Sequence, residues 1–192
     1  MSKRAGSHCG VCTPPLLSAA ASRDRGEFSD LYGRVLANPK APWLIGAVAV
    51  EGMFFYGLFP YMGELLLTTA RPAGESIAAI TGLVLGAFGV GGLLYAVSVR
   101  AFLRVFGVRR MCLIGSAAAA ACYGALAFAP TWWLAALAMF VAGISFYMLH
   151  NSLQTEATEI APSARGSAVA LFACGLFAGQ GIGPSSAGGS AL

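Results

Sequence analysis

One acid lies well inside an uncharged stretch: Glu51, in the run from Ala41 to Gly63. A carboxylate in hydrocarbon is costly, and acids held there commonly serve ion or proton pathways, so Glu51 is a candidate proton carrier. On a helix it stands about 12 Å from Trp43, an aromatic suited to the membrane interface. That depth also allows a carboxylate hydrated near the inner interface, or a structural partner for a polar group on a neighbouring helix. Further along, Gly143, Tyr147, His150, Asn151 and Gln154 fall within about 100° of one another on a helical wheel. Such a face either lines the inner part of a substrate path, with Tyr147, Asn151 and Gln154 touching the solute, or hydrogen-bonds to a neighbouring helix. His150 is the second proton-coupling candidate; about 26 Å from Trp133, it also suits a plain inner-boundary position.

Other chemistries find little support. The chain shows no His-x-x-x-His, no Ser/His/Asp set and no grouped carboxylates, so neither an enzyme nor a cofactor is expected. His8-Cys9-Gly-Val-Cys12 holds a lone C-x-x-C with no second pair, and no metal site follows from it. Of the five cysteines, Cys112, Cys122 and Cys174 lie in apolar runs, where a thiol acts as a small apolar group.

The elements that position these residues follow from composition. With 57% hydrophobic and 10% charged residues, the chain reads as an all-α integral membrane protein in contact with lipid. Five spans are expected, at about 42–64, 76–99, 111–129, 132–154 and 166–184, forming a transmembrane domain over 42–189. Pro130-Thr-Trp-Trp133 splits the long uncharged run from Met111 to Thr155 into a hairpin. Residues 1–41, rich in Ser, Gly, Pro and charge, read as a polar cytoplasmic tail, and 190–192 as a terminal stub. Val11 to Ala21, interrupted by Pro14 and Pro15, makes a poor signal-peptide core.

Orientation comes from the arginines. Arg100, Arg104, Arg109 and Arg110 crowd one expected loop without an acid, which places that loop in the cytoplasm. With the amino terminus inside, every Lys and Arg except Arg71 faces the cytoplasm, and five spans leave the carboxyl terminus outside. These basic residues flank spans instead of forming a nucleic-acid patch. Small residues mark expected packing faces: Ala78, Gly82, Gly86, Gly89 and Ala96 on the second span, Gly115, Ala118, Ala119 and Cys122 on the third, and Gly175, Gly179 and Gly183 on the fifth.

Three stretches carry a resemblance. Glu51-Gly-Met-Phe-Phe-Tyr-Gly-Leu-Phe-Pro60-Tyr, the run from Phe146 through His150 to Arg165-Gly, and Gly179-Gln-Gly-Ile-Gly183-Pro184 resemble the major facilitator superfamily, and within it the drug and sugar efflux-type proton antiporters. The likeness covers about Phe28 to Gly189 and looks like helices seven to eleven of twelve, a partial fold from the carboxyl-terminal half. Gly107, Arg109 and Arg110 fit the family's cytoplasmic-loop motif, whereas Arg104 stands in its acidic slot. Gly179, Gly183 and Pro184 resemble its antiporter motif, whose closing glycine pair, Gly188-Gly189, comes one residue late. The resemblance implies a plasma-membrane (cell inner membrane) transporter that exports a small organic solute in exchange for protons by alternating access. It also implies a partner, either a separate amino-terminal half or another copy of the chain. The alternatives are a transport-incompetent fragment and a membrane scaffold or interaction protein.

Overall fold

The structure is a computed structural model and describes residues 29–70, 74 and 76–188, the last four as backbone only. All regular structure among the described residues is helical. Helix α1 covers Ala41–Gly57 and carries Pro42 in its first turn, where a missing N–H is no loss. It ends at Leu58 and passes into a 3₁₀ turn, Phe59–Tyr61. Pro60 imposes this break, since it has no N–H to donate and its ring crowds the carbonyl one turn back. Helix α2 is Met62–Thr69, α3 is Ile77–Ala127, α4 is Trp132–Ile160, and α5 is Arg165–Gly188 after a 3₁₀ turn at Pro162–Ala164. Four helical stretches are long and apolar enough to cross a membrane: Ala41–Thr69, Ile77–Ala127, Trp132–Ile160 and Pro162–Pro184.

The 51 residues of α3 do not form one rod, because Gly107 interrupts them with φ 69° and ψ 163°. Ile80 and Leu126 share a core with Ala135 and Met139 of α4, while Tyr95 and Met111 share one with Met148, further along α4. Residues on either side of Gly107 therefore meet α4 at the same levels in opposite order, so α3 doubles back as two limbs. The backbone at Gly107 lies in a region open essentially to glycine alone. A Cβ there would meet no atom within 4 Å, so a substitution is strained through its backbone only. Gly107→Ala is expected to lower stability by about 1–3 kcal/mol. The check is the unfolding midpoint in detergent, and an unchanged midpoint would mean that the turn relaxes into another conformation.

Contacts fix the remaining directions. Along α1 and α5, a Cβ on Gly175 would meet Ile45 and Val48, one on Gly179 the Ala49 carbonyl, and one on Gly183 Met53 and Gly57, so these two helices run parallel. The first limb of α3 runs parallel to α4, with Gly143 on the Phe88 carbonyl and Gly92 against the Tyr147 ring. The second limb runs antiparallel to α4, with Gly115 against Ser145 and Leu149. Finally α1 opposes α4, since Phe55 packs on Phe146 with ring centroids 4.8 Å apart while Val48, earlier in α1, shares a core with Ala157, later in α4. One end of the bundle thus gathers the chain before α1, the Gly107 turn and the α4–α5 connection. Tyr61 donates from its hydroxyl to the Pro184 carbonyl at 2.6 Å, and pins α5 to the broken end of α1.

The helices run further than the expected loops allow. Glu64 to Thr69, Arg100 to Phe106 and Thr155 to Ile160 are all helical. Charged and polar side chains mark where the bilayer ends, but they do not stop a helix whose backbone bonds are internal. Likewise α5 continues past Pro184. The stripe of Gly82, Gly86 and Gly89 makes no helix contact, and a Cβ on any of them would meet open space. Gly91, on the opposite side of the limb, and Gly92, on its flank, do that packing instead. Within the expected tail, residues 29–36 are helical, and Val35 is buried with Ala41, Ala161, Ala164 and Ala168. Asn38 ties this segment to the bundle by donating from Nδ2 to the Ile160 carbonyl at 3.1 Å, satisfying a group at the end of α4.

Candidate functional site

The antiparallel register of α1 on α4 sets Phe55 against Phe146 and, one turn away, Glu51 against His150. Nδ1 of His150 lies 3.1 Å from Oε2 of Glu51, so the two proton-coupling candidates, read separately in the sequence, form one pair. Phe146, one turn before His150, stacks on its imidazole with centroids 5.1 Å apart and planes at 21°. Phe172 of α5 closes the other flank at 5.2 Å. Beside Glu51, Gly52 lets the Leu176 backbone approach so closely that any Cβ would overlap its carbonyl. Three helices therefore hold the pair.

Exposure within the pair is uneven. The Glu51 side chain is 1% exposed and that of His150 is 16% exposed, so the imidazole is the part reachable from outside. Oε1 of Glu51 is buried without a hydrogen-bond partner among the described residues. One titratable proton, beyond the N–H that a neutral imidazole keeps, leaves this pair neutral overall in either placement. An imidazole N–H can donate to a carboxylate oxygen, or a protonated carboxyl can donate to the imidazole nitrogen. Taking up a second proton or losing the only one leaves net charge in a low-dielectric place, where it interacts strongly with anything nearby. Such a pair can hold, hand over and respond to a proton.

The remaining candidates separate by flank. Tyr147 sits between the two sides, its ring against Gly92 and near-parallel to Tyr95 at 6.3 Å between centroids. Asn151 and Gln154 turn away from Glu51 and line, with Tyr95, an open cavity of about 340 Å³ between α4 and the two limbs of α3. Gly143 carries no solute-facing group and packs on the Phe88 carbonyl. Arg104, Gly107, Arg109 and Arg110 form the tip of the α3 hairpin, with all four arginines of that region exposed. Gly179 and Gly183 pack on α1, and Pro184 accepts the Tyr61 hydroxyl.

Neither Phe146, which only opens one of the resembling stretches, nor Phe172 stands out in the sequence as a site residue. Phe146 had a usable signal, since it lies four residues before His150 on the same helix and therefore under its ring. Phe172, on another helix, had none. No group of three or more His, Cys, Asp or Glu suited to a metal occurs among the described residues, and His8, Cys9 and Cys12 lie outside them.

Searches of curated proteins and of solved structures returned no match. The model of one family, described as the Major Facilitator Superfamily, matches residues 11–185. That match spans most of the chain and agrees with a bundle of long apolar helices. Members of this family are transporters, not enzymes. The chain belongs to the Major Facilitator Superfamily and is a multi-pass transmembrane transporter protein.

Proposed function

We propose that the protein serves proton-coupled efflux of a small organic solute by alternating access, with Glu51 and His150 as its proton carrier. The carrying observation is the buried Glu51 carboxyl, bonded at 3.1 Å to an imidazole that remains partly accessible. An acid placed in hydrocarbon and joined to a second titratable group suits a proton relay. The alternating directions of α1, the two α3 limbs, α4 and α5 support five traverses, the pattern of helices seven to eleven in the fold. The end that gathers the Gly107 turn also holds Arg100, Arg104, Arg109, Arg110 and Arg165. We therefore place that end in the cytoplasm, with the amino terminus, and the end of α5 outside. The solute site in such folds lies between repeats, and in this reading a second copy of the chain completes it.

The test is transport by the full chain in proteoliposomes carrying an internal pH indicator, with cationic dyes, sugars and amphiphilic drugs offered in turn. Under an imposed pH gradient, at least one solute is expected to accumulate, and its movement to shift the internal pH. Folded protein that moves neither solute nor protons would overturn the reading and favour a scaffold or a transport-incompetent fragment.

A further inference from the structure

The cavity that receives Asn151 and Gln154 has a build of its own. Its α3 wall is apolar, formed by Val99, Leu103, Val108 and Met111 on both limbs beside the Gly107 turn. Its α4 wall is polar, with Thr155 and Thr158 joining Asn151 and Gln154. Each of the four hairpin arginines adjoins a residue of the apolar wall: Arg100 follows Val99, Arg104 follows Leu103, Arg109 follows Val108 and Arg110 precedes Met111. All four are exposed, and among the described residues none forms an ion pair with an acid. None of these arginines is part of the cavity wall, and neither are Glu156 and Glu159 at the same end of α4. The result is a cleft with an apolar slot, a row of hydrogen-bonding groups facing it, and four exposed cations at positions next to its apolar wall.

From this we infer that the cleft is a binding site for one anionic phospholipid. The phosphate lies among the arginines, the glycerol and headgroup hydroxyls meet the α4 side chains, and an acyl chain leaves along Val99 and Leu103. A volume of about 340 Å³ suits a headgroup with the start of a chain, while the rest of the lipid stays in the bilayer. Basic pockets between membrane helices on the cytoplasmic side recognise anionic headgroups by this chemistry. The site rests on the proposed cytoplasmic placement of the hairpin but not on any role of Glu51, so either reading can fail without the other. Occupancy would brace both limbs of α3 against α4.

The full chain in mild detergent is titrated with phosphatidylglycerol, with phosphatidylcholine and with free glycerol 3-phosphate, and bound molecules are counted by native mass spectrometry. Phosphatidylglycerol is expected to stay bound, phosphatidylcholine to be lost, and glycerol 3-phosphate to bind far more weakly because it has no chain. Exposed-site variants Arg104→Gln and Arg109→Gln should each weaken retention about fivefold. Thr158→Phe, which fills the cleft and leaves the arginines in place, should also displace the lipid. Equal retention of both lipids, or no effect of the arginine variants, would overturn the proposal. So would full retention in folded Thr158→Phe, which would leave only surface attraction between arginines and anionic lipid.

Discussion

Glu51→Gln is expected to leave the protein folded and to reduce gradient-driven solute accumulation to the level of protein-free vesicles. Glutamine has nearly the same shape, and its amide can still hydrogen-bond to His150, so Phe55, Phe146 and Gly52 keep their contacts. What is lost is a group that can take and release a proton at that oxygen. The same vesicles give a second readout, downhill movement of solute without a pH gradient. Loss of accumulation with retained downhill movement is the result expected of a coupling residue. Undiminished accumulation in Glu51→Gln would show that the carboxyl is only a structural partner of the imidazole. Glu51→Leu separates the structural part, because it leaves the His150 nitrogen without its partner. Such a loss typically costs about 1–3 kcal/mol, read as a lower unfolding midpoint. A midpoint that falls for leucine and holds for glutamine would assign the hydrogen bond to stability and the exchangeable proton to transport.

The chain announced its spans more clearly than its contacts. Uncharged runs and the Pro130 break located the apolar helices, because the bilayer demands length and apolarity of any segment that crosses it. Where each helix stopped was less legible. Arginine is a good helix former, so the four arginines of the α3 hairpin mark a boundary in charge while the helix continues to Phe106. Gly107 was noted for its place in a motif, and its positive φ shows that it is also the reversal point. Helical spacing put Gly82, Gly86 and Gly89 on one stripe but could not say whether the stripe faced protein. Lipid is as apolar as a packed helix, so hydropathy does not distinguish the two sides. Glu51 and His150 were each visible as polar groups in apolar runs. Their pairing was not, because it depends on the register of α1 against α4, which no local pattern encodes. The same limit explains Asn151 and Gln154, which share a broad wheel face with His150 yet turn toward α3.

The two glycine faces of α3 provide the second large effect. Gly91 lies on the Phe140 carbonyl of α4, and Gly143 of α4 lies on the Phe88 carbonyl of α3, so the two backbones interlock reciprocally. A Cβ at either site would overlap backbone, which cannot rotate aside as a side-chain tip can. Gly143→Ala is therefore expected to force the helices apart and to lose at least the roughly 1–3 kcal/mol typical of overpacking. Gly143→Val should prevent stable folding. The displacement would reach the Glu51–His150 pair. Phe146 lies one turn from Gly143, packs on Phe88 at 5.7 Å and is itself the ring stacked on His150. Gly91→Ala should act alike, and the double variant should cost less than the sum, since helices already separated accept the second methyl more easily. Gly82→Ala is the control on the other stripe. Its Cβ enters open space, so the change should be neutral or should stabilise by up to about 1 kcal/mol through helix propensity. Unfolding midpoints in detergent decide the matter. If Gly82→Ala proved as damaging as Gly143→Ala, the packed face of α3 would be the glycine stripe seen in the sequence, and the interlock at Gly91 and Gly143 would not be what holds α3 to α4.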